Sequence, residues 1–156
     1  MGAVVKWYHY TIIVFLITGG GAMAYYKSRG LRNKNPGNIR KSNDTWQGLS
    51  AVQTDPDFFQ FTDAKYGIRA MARIIDNYKK RGLYSIEQII ATWAPSNEND
   101  TQSYIMSVRK STKWPQGWIP VKEEGDYLPL IKAIIKHENG LNPYSDELIR
   151  EGISLA

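Results

Sequence analysis

Trp7 to Tyr26 reads WYHYTIIVFLITGGGAMAYY, twenty consecutive residues without Asp, Glu, Lys or Arg. A helix rises about 1.5 Å per residue, so this length covers roughly the 30 Å hydrocarbon core of a bilayer. Aromatic pairs close both ends, Trp7 with Tyr8 and Tyr25 with Tyr26. Such rings favour the headgroup level, where one edge stays wet. The stretch therefore predicts a single-pass transmembrane anchor over residues 1–26. Two other readings remain open. Lys6, the apolar run Thr11–Thr18 and Ala22-Met23-Ala24 are the three parts of a cleavable signal peptide. Gly19, Gly20 and Gly21 leave the second half only marginally apolar, which suits a helix that enters a membrane and later leaves it, as a releasable endolysin would.

Beyond the anchor, ~130 residues are the size of one ordinary domain, enough to bury a core without staples. The 156-residue chain has no cysteine, and its histidines are His9 and His137. That excludes a disulfide framework and a thiolate or histidine zinc site, so no metal and no cofactor is expected. Chemistry must rest on carboxylates, hydroxyls or amines.

The net charge of +5 is unevenly placed. Lys27, Arg29, Arg32, Lys34, Arg40 and Lys41 fall within residues 27–41 with no acid among them, whereas residues 42 onward carry 13 basic and 15 acidic side chains. The segment 27–50 reads as a juxtamembrane collar with an Asn-Pro-Gly-Asn loop. Trp7, Tyr8, Tyr25, Tyr26, Lys27 and Arg29 are expected at the membrane interface, and residues 27–41 against lipid phosphates, capsid protein or packaged DNA. By the positive-inside rule the collar keeps the domain on the cytoplasmic side of a host inner membrane, which becomes the interior of a membrane-lined particle.

The domain, 51–156, reads as mainly α. Residues 27–50 are rich in turn formers, and Phe58–Phe61 suits a short extended piece. Ile68, Met71, Ala72, Ile75 and Tyr78 repeat at helical spacing through Tyr66 to Lys80, with Gly82 as the stop. Ser85-Ile86-Glu87-Gln88 is a capping box for a second helix that Pro95 closes. A third helix spans Thr101 to Lys110, a fourth Leu128 to Asn139, and a short last one starts at Pro143-Tyr144-Ser145 and runs through Ile149.

Glu138 is the sharpest catalytic candidate. Counting back three, four and seven residues along its helix gives Ile135, Ile134 and Ile131. The carboxyl therefore shares a face with the apolar stripe, where a raised pKa keeps it protonated for use as a general acid. The plainer reading is a half-buried carboxylate in the last helical turn. Glu98 and Asp100 are read either as caps of the third helix or as sugar contacts. Asn33, Asn35, Asn38, Asn97 and Asn99 offer amides that suit acetamido groups, and Trp46, Trp93, Trp114 and Trp118 offer rings that stack on sugars or pack in the core.

Ile134–Ser145, IIKHENGLNPYS, resembles the helix end around the catalytic glutamate of lysozyme-like lytic transglycosylases, with Asn139 where that family usually has Ser. The resemblance implies a lysozyme-like domain acting on peptidoglycan through Glu138, with residues 35–40 supplying a wall of the cleft. A wider resemblance covers residues 29–156. It rests on Arg29–Asn33, Asn35–Arg40, Gly67–Met71, Trp93–Pro95 with Glu98–Thr101 and Tyr104, and His137–Gly140 with Pro143–Asp146. These are similar to a family of small phage and prophage proteins labelled as virion structural proteins, after a membrane protein of tailless, lipid-containing corticoviruses. That likeness implies a place in a virion membrane. Together the two imply a cleft lined by Asn35, Asn38, Trp93, Glu98, Asn99 and Tyr104. The competing implication is a non-enzymatic protein joining a viral inner membrane to capsid or genome.

Overall fold

The computed structural model describes residues 28–96 and 100–156. The proposed anchor, with Trp7, Tyr8, Tyr25, Tyr26 and Lys27, lies outside the described residues, as do Glu98 and Asn99. Among the described residues no helix is long and apolar enough to cross a membrane. The mainly α expectation holds for them. Six helices follow in order: α1 (Arg29–Arg32), α2 (Ala64–Lys80), α3 (Ile86–Trp93), α4 (Thr101–Thr112), α5 (Tyr127–Asn139) and α6 (Asp146–Ser154).

Local chemistry sets most of these boundaries. Asp63 caps α2 by accepting from the Lys65 amide at 2.9 Å. The capping box of α3 is complete in both directions between Ser85 and Gln88. Asp100 caps α4, accepting from the Ser103 amide at 3.0 Å and its hydroxyl at 2.6 Å, so the plain reading of Asp100 describes its place. Gly140, at φ 77°, ends α5 in the left-handed conformation that glycine adopts most readily. Two expectations shift. Residues 27–50 hold one helical turn, α1, capped by Ser28. The last helix starts at Asp146 rather than Pro143, because the Ser145 hydroxyl caps the Leu148 amide, and it continues past Ile149 to Ser154.

α5 is the central rod. It meets α1, α2, α4 and α6 and buries Leu130, Ile131, Ile134 and Ile135 completely. Pro129 sits in its first turn, where a missing amide proton costs nothing. α2 lays Ile68, Met71, Ala72 and Ile75 into the same core and crosses α6 closely. The crossing depends on Gly152, because a Cβ there would lie 2.6 Å from Ile68 Cγ2 and 2.8 Å from the Lys65 carbonyl oxygen. Gly152→Ala is therefore expected to destabilise the domain by about 2 kcal/mol through overpacking, read as a lower urea midpoint.

Residues 28–50 are not a separate collar. Ile39 is in the core, Arg40 bridges Phe58 and Leu49 bridges Phe61 in antiparallel pairs, and Phe58–Phe61 is extended as expected. Arg29, expected at the membrane interface, is instead turned into the domain. Its guanidinium bonds the Asp55 carboxylate at 2.6 and 2.7 Å, reaches Asp57 at 2.7 Å and covers the Phe58 ring at 4.5 Å. Lys34 donates to the Thr62 carbonyl at 2.6 Å, and Lys41 to the carbonyls of Gln53 and Asp55. A sequence count of like charges missed this because the partners lie twelve to twenty-eight residues away.

Candidate functional site

The C-terminal end of α5 is where four segments converge. Glu138 leaves the apolar face there, above the fully buried Ile131, Ile134 and Ile135. Asn38 donates to its Oε2 at 2.9 Å and the Tyr104 hydroxyl to its Oε1 at 2.9 Å. The Trp93 indole is a third donor, and the charge of Arg40 acts on it as well. The structure thus brings together four sequence candidates, Asn38, Trp93, Tyr104 and Glu138, from the loop before α2 and from α3, α4 and α5. The 35–40 loop meets the carboxyl through Asn38.

Burial pushes the Glu138 carboxyl above its ordinary pKa, against the opposing pull of the Asn38, Tyr104 and Trp93 donors and the Arg40 charge. The residue as a whole keeps partial exposure, while its carboxyl is buried among these donors. Tyr104 is buried and its phenol pushed well above the usual range, first by burial and then by Glu138. It therefore stays a neutral donor. The exposed ring of His137 stacks on Tyr104 at 3.6 Å and 15°, covering the other side of that phenol. Burial lowers the His137 pKa.

Asn35 does something else. It is 0% exposed, and its whole amide is committed to the chain. Its Nδ2 donates to the carbonyls of Ile39 and Phe59 at 2.9 Å each, and its Oδ1 accepts from the Ile39 amide at 2.9 Å. It shapes the loop and presents nothing to a ligand. The loop it shapes carries Asn38 at φ 48°, a left-handed conformation that asparagine tolerates better than other non-glycine residues.

Asn139 is the residue that sequence reading passed over. It is buried, donates to the Pro36 carbonyl at 2.7 Å and to the Ile135 carbonyl at 2.9 Å, and accepts from the Ser28 hydroxyl at 2.5 Å. It locks the Asn-Pro-Gly-Asn loop and the start of α1 onto the end of α5, one residue from Glu138. Gly30 makes room, since a Cβ there would lie 2.6 Å from both the Asn139 and Asn38 amide oxygens. The departure from the transglycosylase pattern at this position thus has a structural use that a serine side chain is too short to serve.

The same loop is braced from its other side. Asp55 accepts from Arg29, from Asn33 Nδ2 at 2.7 Å and from the amides of Asp57 and Phe58 at 3.0 Å. Burial alone raises its pKa, but the Arg29 and Asn33 bonds and the two amides outweigh it and hold the carboxyl well below the usual carboxylate range. A depressed folded-state pKa contributes stability above the unfolded value, about 3.9, and loses it as pH falls below that. Asp55→Ala should cost about 3 kcal/mol at neutral pH, and thermal melts should show the gap to wild type narrowing below about pH 4.

No protein-family model matches the chain. Protein P5 of Pseudoalteromonas phage PM2, a corticovirus, is 44% identical to it over 129 residues, 80% of this chain and 79% of the relative. The chain belongs to the Protein P5 family. Membership of the P5 family makes it a phage protein and bears out the resemblance to corticovirus proteins read from the motifs. The identity extends over most of the length of both chains, so it includes most of the domain built around α5.

Proposed function

We propose that this chain is a virion structural protein held in a viral membrane by residues 7–26, and that its helical domain binds peptidoglycan glycan and cleaves it with Glu138 as general acid. The observation that carries the reading is the state of one carboxyl. Glu138 is shifted toward its protonated form, partly exposed, and fixed by donors from Asn38, Tyr104 and Trp93. In such a site the protonated carboxyl gives its proton to the glycosidic oxygen as the bond to the anomeric carbon breaks. The resulting carboxylate then takes a proton from the attacking hydroxyl, either water or a hydroxyl of the sugar itself. The groups around Glu138 are neutral donors and one arginine, which suits this single-carboxyl route better than a two-carboxylate hydrolase. The resemblance of residues 134–145 to lysozyme-like transglycosylases supports the same assignment.

A second reading has its own observation. Both oxygens of Glu138 are used to join the Asn38 loop and α4 to α5, as a purely structural cross-link would be. On that reading the protein ties a viral inner membrane to the capsid or genome and cleaves nothing. Purified full-length protein incubated with sacculi separates the two: the first reading predicts soluble glycan fragments, and a folded protein that releases none supports the second. Protease protection of the domain in intact particles then reports which side of the membrane it occupies.

A further inference from the structure

At the opposite end of α5 from Glu138, two segments are sewn together into one surface. The Ile86 amide donates to the Trp118 carbonyl at 2.9 Å, and Lys79 donates to the Pro120 carbonyl. The turn after α2 and the loop after α4 therefore lie side by side. The Trp114 and Trp118 rings stack at 5.7 Å and stiffen that loop. Tyr84, 50% exposed, and Ile119, 52% exposed, stand out from the surface. Lys80 and Arg81 are exposed at the C-terminal end of α2, and Lys110 and Lys113 at the C-terminal end of α4, the ends from which these two segments leave. None of the four forms an ion pair with a carboxylate among the described residues. The acids on the elements packed here are committed elsewhere: Glu87 to the Gly117 amide at 3.1 Å, Asp126 to the Trp118 indole at 3.2 Å and the Val121 amide at 3.0 Å, and Asp76 to Tyr127 and Lys122. Glu123 and Glu124 are exposed farther along the loop.

We propose that the surface formed by Tyr84, Ile119, Lys80, Arg81, Lys110 and Lys113 is a peripheral docking site for an anionic lipid bilayer. Uncompensated cations set around a tyrosine and an exposed aliphatic side chain match an anionic headgroup layer, where the ring sits among headgroups and the aliphatic group reaches below them. The exposed aliphatic side chain of Ile119 argues against nucleic acid, which offers phosphates and base faces but no use for it. The described chain begins beside the far end of α5, at Ser28 on Asn139. A thirteen-residue helix is about 20 Å long, so contact at both ends would lay α5 along the bilayer. This goes beyond the peptidoglycan reading and does not depend on Glu138.

The absence of cysteine allows a single spin label to be placed at will. Full-length Ile119→Cys, labelled and reconstituted in phosphatidylcholine vesicles with one quarter phosphatidylglycerol, should gain accessibility to oxygen and lose it to a water-soluble nickel chelate. A label at Val52→Cys, 71% exposed in the 50–57 loop, should stay aqueous and report that the fold is intact. Adding Lys110→Gln and Lys113→Gln should reduce the immersed fraction on the order of tenfold. A 119 label that stays aqueous with and without phosphatidylglycerol would overturn the proposal. So would equal immersion in pure phosphatidylcholine, or shielding by a single-stranded oligonucleotide that exceeds shielding by vesicles.

Discussion

Glu138→Gln is expected to reduce glycan release by about 10²–10⁴-fold, the usual contribution of a positioned general acid. The substitution is nearly isosteric and the surroundings accept it. The amide oxygen can take the Asn38 donor, and the Tyr104 hydroxyl can turn to accept from the new amide group. The stability effect should run the other way. Burial raises the folded-state pKa of Glu138 above its unfolded value. The linked stabilisation is fully present below the unfolded value, about 4.3, and is lost as pH rises through the folded one. As pH rises through the folded-state value, the wild type comes to carry the cost of a buried carboxylate that glutamine does not. Melting temperatures at neutral pH should be equal or higher for the variant, and the difference should shrink toward pH 4. This stability pattern follows from burial alone, so glycan release is the readout that separates a general acid from a cross-link.

Asn35→Ala should damage the fold severely, at about 3–4 kcal/mol. The side chain is 0% exposed and makes three bonds of 2.9 Å, to the Ile39 and Phe59 carbonyls and the Ile39 amide. Alanine leaves all three backbone groups buried without that partner, and each such orphan costs about 1–3 kcal/mol before relaxation. The same change loosens the loop that carries Asn38 to Glu138. For a domain of this size the loss corresponds to a fall in melting temperature of roughly 10 °C, measurable by circular dichroism on the full-length protein. Asn35→Asp keeps the acceptor but sets a buried carboxyl against the Ile39 and Phe59 carbonyls, so it should cost at least as much as alanine.

The helices were legible because they are written locally. The Ile68–Tyr78 stripe, the Ser85–Gln88 box and the Ile131–Ile135 run each carry their own periodicity or cap. The face of Glu138 was legible for the same reason, since it follows from spacing alone. What stayed hidden was long-range pairing. Arg29 read as a lipid contact because Asp55 and Asp57 are 26 and 28 residues away. Asn35 read as a sugar ligand because nothing in an Asn-Pro-Gly-Asn turn says which asparagine turns inward. Asn139 read as a mismatch in a motif, while its partners Pro36 and Ser28 stand 103 and 111 residues before it. Polar residues that hold a loop in place and polar residues that hold a ligand have the same composition; burial and bonding partners separate them.

The most direct test of the Glu138 assignment is mass spectrometry of soluble products from purified sacculi. The full-length wild type and Glu138→Gln should be compared at neutral pH, each checked by its melting curve. The account predicts glycan fragments from the wild type, none above background from the variant, and a variant at least as stable. Wild-type protein that melts cooperatively yet releases no fragments, or a variant that releases as much as the wild type, would contradict it.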